Sequence, residues 1–185
     1  GGSLRNAIPR ESFVTITVPE AKAEELLAYV PEFEAVVKEQ FAAVEPEMSI
    51  TVVPAEMPAK VIDKQTIANL IEAVAKYPNG VIAMSKDFEG TVETSSNLAI
   101  VKLVDGQIMT ASLQRSLVDA SKDELAAEMR KVLESCGARA ESTGSYPGWK
   151  PNINSVIYNT MKKVYEEKYG KTPKTMVIHA GLECG

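Results

Sequence analysis

The period of the apolar positions changes several times along the chain, and each change marks an element. The most informative stretch is TVETSSNLAIVKLVDGQIMTASLQRSLV, residues 91–118. Two β-rich runs meet there at Asp105-Gly106, a pair that accepts the positive φ angles of a tight two-residue hairpin loop. In the second run, Ile108, Thr110, Ser112, Gln114 and Ser116 alternate onto one face. Met109, Ala111, Leu113, Arg115 and Leu117 alternate onto the other. Arg115 is therefore expected on the more apolar side.

Around this hairpin the pattern predicts further elements. Phe13–Val18 and Met48–Val53 are β-branched, apolar runs expected as strands, stopped by Pro19 and Pro54. Between them, Ala23, Leu26, Leu27, Val30, Phe33, Val37, Phe41 and Val44 recur at helical spacing, with Pro31 expected to kink or split the helix. Asp63 heads a second helix carrying Ile67, Leu70, Ile71 and Val74. After the hairpin, Ser121-Lys-Asp-Glu124 reads as a capping box, and Leu125, Met129, Val132, Leu133 and Cys136 form a stripe ended by Gly137. Ala138–Tyr146 completes the set as a strand. This order predicts an α+β fold: a two-layer sandwich of an antiparallel sheet with helices on one face, of the split βαβ (ferredoxin-like) kind, with a helical insertion.

Tyr146-Pro-Gly-Trp-Lys-Pro151 breaks the composition and is expected to divide residues 1–147 from residues 148–185. Beyond it, Asn154 or Ser155 caps a helix that ends at Gly170, and Thr175–Ile178 is an apolar run expected as a strand. A helix followed by such a strand is a remnant of an α/β unit whose neighbouring strands lie elsewhere. The chain opens on Gly-Gly-Ser and stops on Glu-Cys-Gly. It reads as a piece of a longer polypeptide, although the opening GGS also fits a cloning remnant.

Composition narrows the function classes. With 45% hydrophobic and 24% charged residues the chain is ordinary globular protein. A net charge of −5 and the absence of a basic stripe argue against nucleic acid as a partner. No apolar run approaches the roughly 20 residues that span a bilayer. Two cysteines, Cys136 and Cys184, make no disulfide framework, so a reducing, cytoplasmic setting is expected.

The residues that could do chemistry are few. A guanidinium on an apolar face is costly unless it is paired. Three readings of Arg115 stand: strand twist or a bulge carries it to water, Glu93 pairs with it across the hairpin, or it meets an anionic ligand. His179 is the only histidine. It sits where α/β sheets place ligands, at a strand's C-terminal end before a glycine loop, but a hydrogen-bonded structural role serves equally. His-x-x-x-Glu-Cys is no defensible metal-ligand spacing. Asn6 and Asn97 read individually as turn or cap residues. By its own composition the chain is a binding or scaffolding module without a complete active site.

Five motifs in order, GGSLRNAIPRE, TSSNLAIV, LQRSL, SYPGWKPN and IHAGLECG, resemble the aminoacyl-histidine dipeptidases (Xaa-His or cytosolic non-specific dipeptidases), which are co-catalytic zinc metallopeptidases. The resemblance implies that residues 1–147 are the family's lid, which also mediates homodimerisation. Residues 148–185 would then begin the returning catalytic domain. It implies two zinc ions in the full-length parent, held by residues outside this chain, and no metal ligand or catalytic residue within it. The substrate would be a short peptide. Asn6 would lie at the substrate or its oxyanion, and Arg115 would grip the peptide's terminal carboxylate. His179, Gly181, Leu182 and Glu183 would belong to the active-site loop. The expected function is that of a dipeptidase fragment, inactive alone. The rival expectation is a free-standing α+β module that binds amino acids or a protein partner.

Overall fold

The computed structural model describes residues 1–181, and the Cα positions gather into two compact units, one of Gly1–Ser12 with Lys64 onward, the other of Phe13–Asp63. The smaller unit holds one long helix, α1 (Ala23–Phe41), entered through a short 3-10 turn at Glu20–Lys22. Helix α1 runs through Pro31 without splitting. The missing amide there orphans the Leu27 carbonyl, and Leu27 is exposed enough for water to take it up. Lys38 bonds Glu34 at 2.8 Å, and the Ile50 amide also donates to it at 3.3 Å. Lys38 first, then Ile50, hold the Glu34 carboxyl below its usual range. The strands expected at 13–18 and 48–53 do not form. Both runs have the side chains of a strand, but strand propensity expresses itself only against a partner strand, and neither run finds one.

The larger unit is an α+β arrangement around a three-stranded antiparallel sheet. Its elements are α2 (Lys64–Lys76), β1 (Gly80–Met84), β2 (Val92–Val104), β3 (Gln107–Ser116), α3 (Asp119–Ser135) and α4 (Val156–Tyr169). The sheet order is β1-β2-β3, a simple meander. The split βαβ order expected from sequence would need outer strands from 13–18 and 138–146, and among the described residues neither run enters a ladder. The run at 175–178 is likewise outside any ladder.

The hairpin at the centre forms as expected. Asp105 (φ 49°) and Gly106 (φ 76°) both take positive φ, the type I′ turn that matches the twist of its flanking strands. A bulge between Leu98 and Ile100 inserts Ala99, which is fully buried. The helices cover the hydroxyl-rich face of the sheet, not the face that carries Arg115. Tyr77, just past α2, bonds Ser112 at 2.7 Å, Thr94 bonds Ser116 at 2.9 Å, and Ser96 lies against the Met129 sulfur of α3. Small hydroxyl side chains let a helix approach closely, and by pairing with one another they avoid the cost of burial. Leu125 and Met129 of α3, with Ala73 of α2, supply the buried apolar part of this layer.

Two helix ends follow their sequence signals closely. Helix α3 stops in a Schellman motif: Gly137 (φ 80°) donates to Glu134, and Ala138 donates to Leu133. Helix α4 starts at Ser155, whose hydroxyl accepts from the Tyr158 amide, and ends at left-handed Gly170. The Ser121–Glu124 box is not a cap, because α3 begins at Asp119. Gly148 explains the earlier start. Its amide donates to the Asp119 carboxylate at 2.7 Å, and a Cβ on Gly148 would lie 2.8 Å from the Ser116 carbonyl oxygen. Lys122 completes the attachment by donating to the Tyr146 carbonyl at 2.6 Å. The Tyr146–Lys150 segment is thus pinned to the start of α3. No helix among the described residues is long and apolar enough to cross a membrane.

Candidate functional site

The face of β2 and β3 away from the helices carries a cleft of about 340 Å³. Its floor comes from the ladder itself, where Ser95 opposes Arg115 and Asn97 opposes Leu113. Period-two alternation puts these four side chains on one surface.

One wall is the chain's opening segment. Gly1 pairs with Val101 through both backbone groups, its nitrogen donating at 2.7 Å and its carbonyl accepting at 3.2 Å. Gly2 takes φ 81°, and a Cβ there would fall 1.8 Å from the Ala99 carbonyl oxygen. Only glycine fits that approach, so the opening Gly-Gly is a structural part of the site. A turn from Leu4 to Ala7 follows. Asn97 clamps it, its amide donating to the carbonyls of Arg5 (3.1 Å) and Ala7 (2.9 Å). The clamp leaves the Arg5 and Asn6 side chains and Ile8 lining the cleft.

The other wall is the segment at 179–180. His179 places Nε2 2.7 Å from the Ser95 hydroxyl. Burial, then the Arg115 cation beside it, push the imidazole below its ordinary pKa, and a hydrogen bond to the Val92 backbone pulls the other way. The neutral form of His179 is favoured by that shift. Gly181 lies beside Tyr146, and a Cβ on it would meet the Tyr146 hydroxyl at 3.3 Å.

Arg115 is half-buried in this cleft and, among the described residues, has no carboxylate within ion-pairing distance. The Glu93 pairing is not made. Among the described residues that line it, the cleft has two arginines, Arg5 and Arg115, and no acid. Such a lining suits an anion, and a fork of N–H donors suits a carboxylate in particular.

Three of the expected site residues, Asn6, Arg115 and His179, come together here. Gly181 lies just past the cleft, and Leu182 and Glu183 lie outside the described residues. Sequence reasoning missed Arg5, Ile8, Ser95, Leu113 and Ala180 as lining residues, and gave Asn97 only a turn or cap role. Ser95 and Leu113 were within reach of strand parity counted from Arg115. Arg5 and Ala180 carried no signal of their own.

The metal expected of the resembled family does not fit these side chains. Among the described residues no three His, Cys, Asp or Glu groups are placed to hold an ion. The single imidazole is bonded to Ser95 and sits beside a cation, which opposes a second positive charge.

Comparison with known proteins defines the class. No family model matches the chain. Over all 185 residues it is 35% identical to the cytosol non-specific dipeptidase of Escherichia coli (strain K12), covering 38% of that protein. Its fold matches the crystal structure of aminoacylhistidine dipeptidase from Vibrio alginolyticus with a TM-score of 0.94 and 37% identity, over the whole of this chain and 38% of that one. The chain is homologous along its full length to a segment of these dipeptidases, in agreement with the motif resemblance, and spans about two fifths of their length.

Proposed function

We propose that this chain is the substrate-carboxylate-binding part of a dipeptidase, and that it is inactive by itself. The observation that carries the reading is Arg115, a half-buried arginine in a cleft that has no acid among the described residues lining it. A peptide's terminal carboxylate would take the guanidinium fork in a bidentate bond. Asn6, whose side chain also lines the cleft, would offer its amide to the peptide's carbonyl oxygen. Hydrolysis of the amide bond would rely on two zinc ions held by other residues of the parent polypeptide, and none of the chemistry is assigned to side chains of this chain.

In this reading residues 1–147 form the lid and residues 148–185 begin the returning catalytic domain. The uncovered apolar stripe of α4 (Val156, Ile157, Met161 and Val164, all more than half exposed) supports the second assignment. Homodimerisation through the lid is favoured by Phe13 and Val14, which are over 80% exposed in a β-prone run lacking a partner strand. A cytoplasmic location accords with the relative named for the cytosol.

The test is binding of a simple dipeptide and of its C-terminal amide, measured by calorimetry on the chain and on Arg115→Lys. The reading requires the free acid to bind better than the amide, and it requires the lysine variant to lose roughly tenfold, since an ammonium keeps the charge but not the fork. Equal affinity for acid and amide overturns it.

A further inference from the structure

The contact between Ser95 and His179 joins groups 84 residues apart and ties the 179–181 segment to strand β2. Ser95 is the direct ladder partner of Arg115, so the imidazole is held next to the guanidinium that faces the ligand. A neutral imidazole has one donor and one acceptor nitrogen, and the partner of one nitrogen sets the state of the other. The Val92 backbone acts on the imidazole to raise its pKa, the sense expected of a ring N–H facing a carbonyl. With Nε2 placed 2.7 Å from the Ser95 hydroxyl, this favours Nε2 as the acceptor and the hydroxyl as the donor.

We propose that Ser95 is a positioning residue of the anion site: its hydroxyl donates to Nε2 of His179, holds the ring in the Nδ1–H tautomer, and so fixes the 179–181 wall beside Arg115. The consequence is electrostatic as well as geometric. A ring held neutral leaves the ligand's carboxylate to the guanidinium, and the Nδ1–H group, turned to Val92, does not compete for it. In this role Ser95 acts through His179. The inference rests on the carboxylate-binding reading of Arg115.

His179 is the only histidine of the 185-residue chain, so its imidazole nitrogens give a single, unambiguous set of ¹⁵N resonances. In the wild-type chain the shifts should report Nδ1–H, against the Nε2–H form that a free imidazole prefers in water. Ser95→Ala should move the ring toward the water preference. It should also weaken a dipeptide acid by roughly three- to tenfold, the loss of one ordinary hydrogen bond. Ser95→Thr, which keeps the hydroxyl and suits a strand, should restore both. An Nε2–H ring in the wild type, or an unchanged ring or unchanged affinity in Ser95→Ala, overturns the proposal. These outcomes are separable from failure of the parent reading, which would appear as equal binding of acid and amide whatever the tautomer.

Discussion

The amide nitrogen of Asn97 donates to the carbonyl of Ala7 at 2.9 Å and, on the same side chain, to that of Arg5 at 3.1 Å. One strand residue thereby holds the turn that brings Arg5 and Asn6 to the cleft. Asn97→Ala should weaken dipeptide binding by about tenfold, from two net hydrogen bonds of ~1 kcal/mol each acting partly through loop order. Asn97→Asp should be worse, because a carboxylate would face two carbonyl oxygens. Calorimetric titration of the three chains checks the order, and equal affinities would show that the turn holds without its clamp.

His179 makes the stability of the larger unit depend on pH in a defined direction. The unfolded chain binds the proton with the ordinary value of 6.5, and the folded chain only at lower pH. Between those two values the unfolded state carries more protons, so stability falls as pH drops through that window and is level on either side. Urea midpoints measured from neutral pH downward should fall more for wild type than for His179→Gln, which cannot titrate. Parallel curves would contradict the depressed value.

Gly2 should tolerate no side chain. At φ 81° with an oxygen 1.8 Å from the ideal Cβ position, Gly2→Ala must displace the opening segment from Ala99. The strain is on the order of 1–3 kcal/mol, and release of the segment relieves it. Amide exchange at Val101, whose N–H donates to Gly1, should therefore quicken sharply while the β2–β3 ladder amides near the Asp105–Gly106 turn stay protected.

Asp119 joins the 146–150 segment to α3. The Gly148 amide first, then Lys122, lower its carboxyl pKa below 3.8. Its contribution is therefore complete above that value and is lost as pH falls through the lower folded one. Asp119→Ala should free the segment, and the anisotropy of Trp149, the chain's only tryptophan, should drop. Unchanged anisotropy would mean that Gly148 packing alone suffices.

The thin helix-covered layer should be sensitive to truncation. Met129 is 3% exposed and reaches Ser96 of the sheet. Met129→Ala should cost about 2–4 kcal/mol, from lost burial and the cavity left behind, read as a lowered midpoint in chemical denaturation.

Local signals accounted for much of this fold. Asp105-Gly106 specified its turn, Ser155 and Gly170 specified the ends of α4, and Gly137 ended α3, because each acts through backbone angles or bonds within a few residues. The failures have one cause. Phe13–Val18, Met48–Val53, Ala138–Tyr146 and Thr175–Ile178 all carry strand-forming side chains, but a ladder needs a second strand, which no local pattern supplies. The Ser121–Glu124 box failed for a related reason, since the distant amide of Gly148 engages Asp119 and the helix begins three residues earlier.

By itself the sequence determined the hairpin, the helix boundaries set by short-range bonds, and the motifs whose resemblance identified the related dipeptidases. Alternation also placed Arg115 on one face with Leu113, because strand parity is a local property. Which face the helices would cover was a matter of tertiary structure alone. They cover Thr94, Ser96, Ser112 and Ser116, whose hydroxyls are satisfied by Tyr77 just past α2, by Met129 of α3 and by the neighbouring strand, and that choice leaves Arg115 open to a ligand. The meeting of Asn6, Ser95, Arg115 and His179 was equally beyond the sequence, for it depends on contacts across 80 to 100 residues.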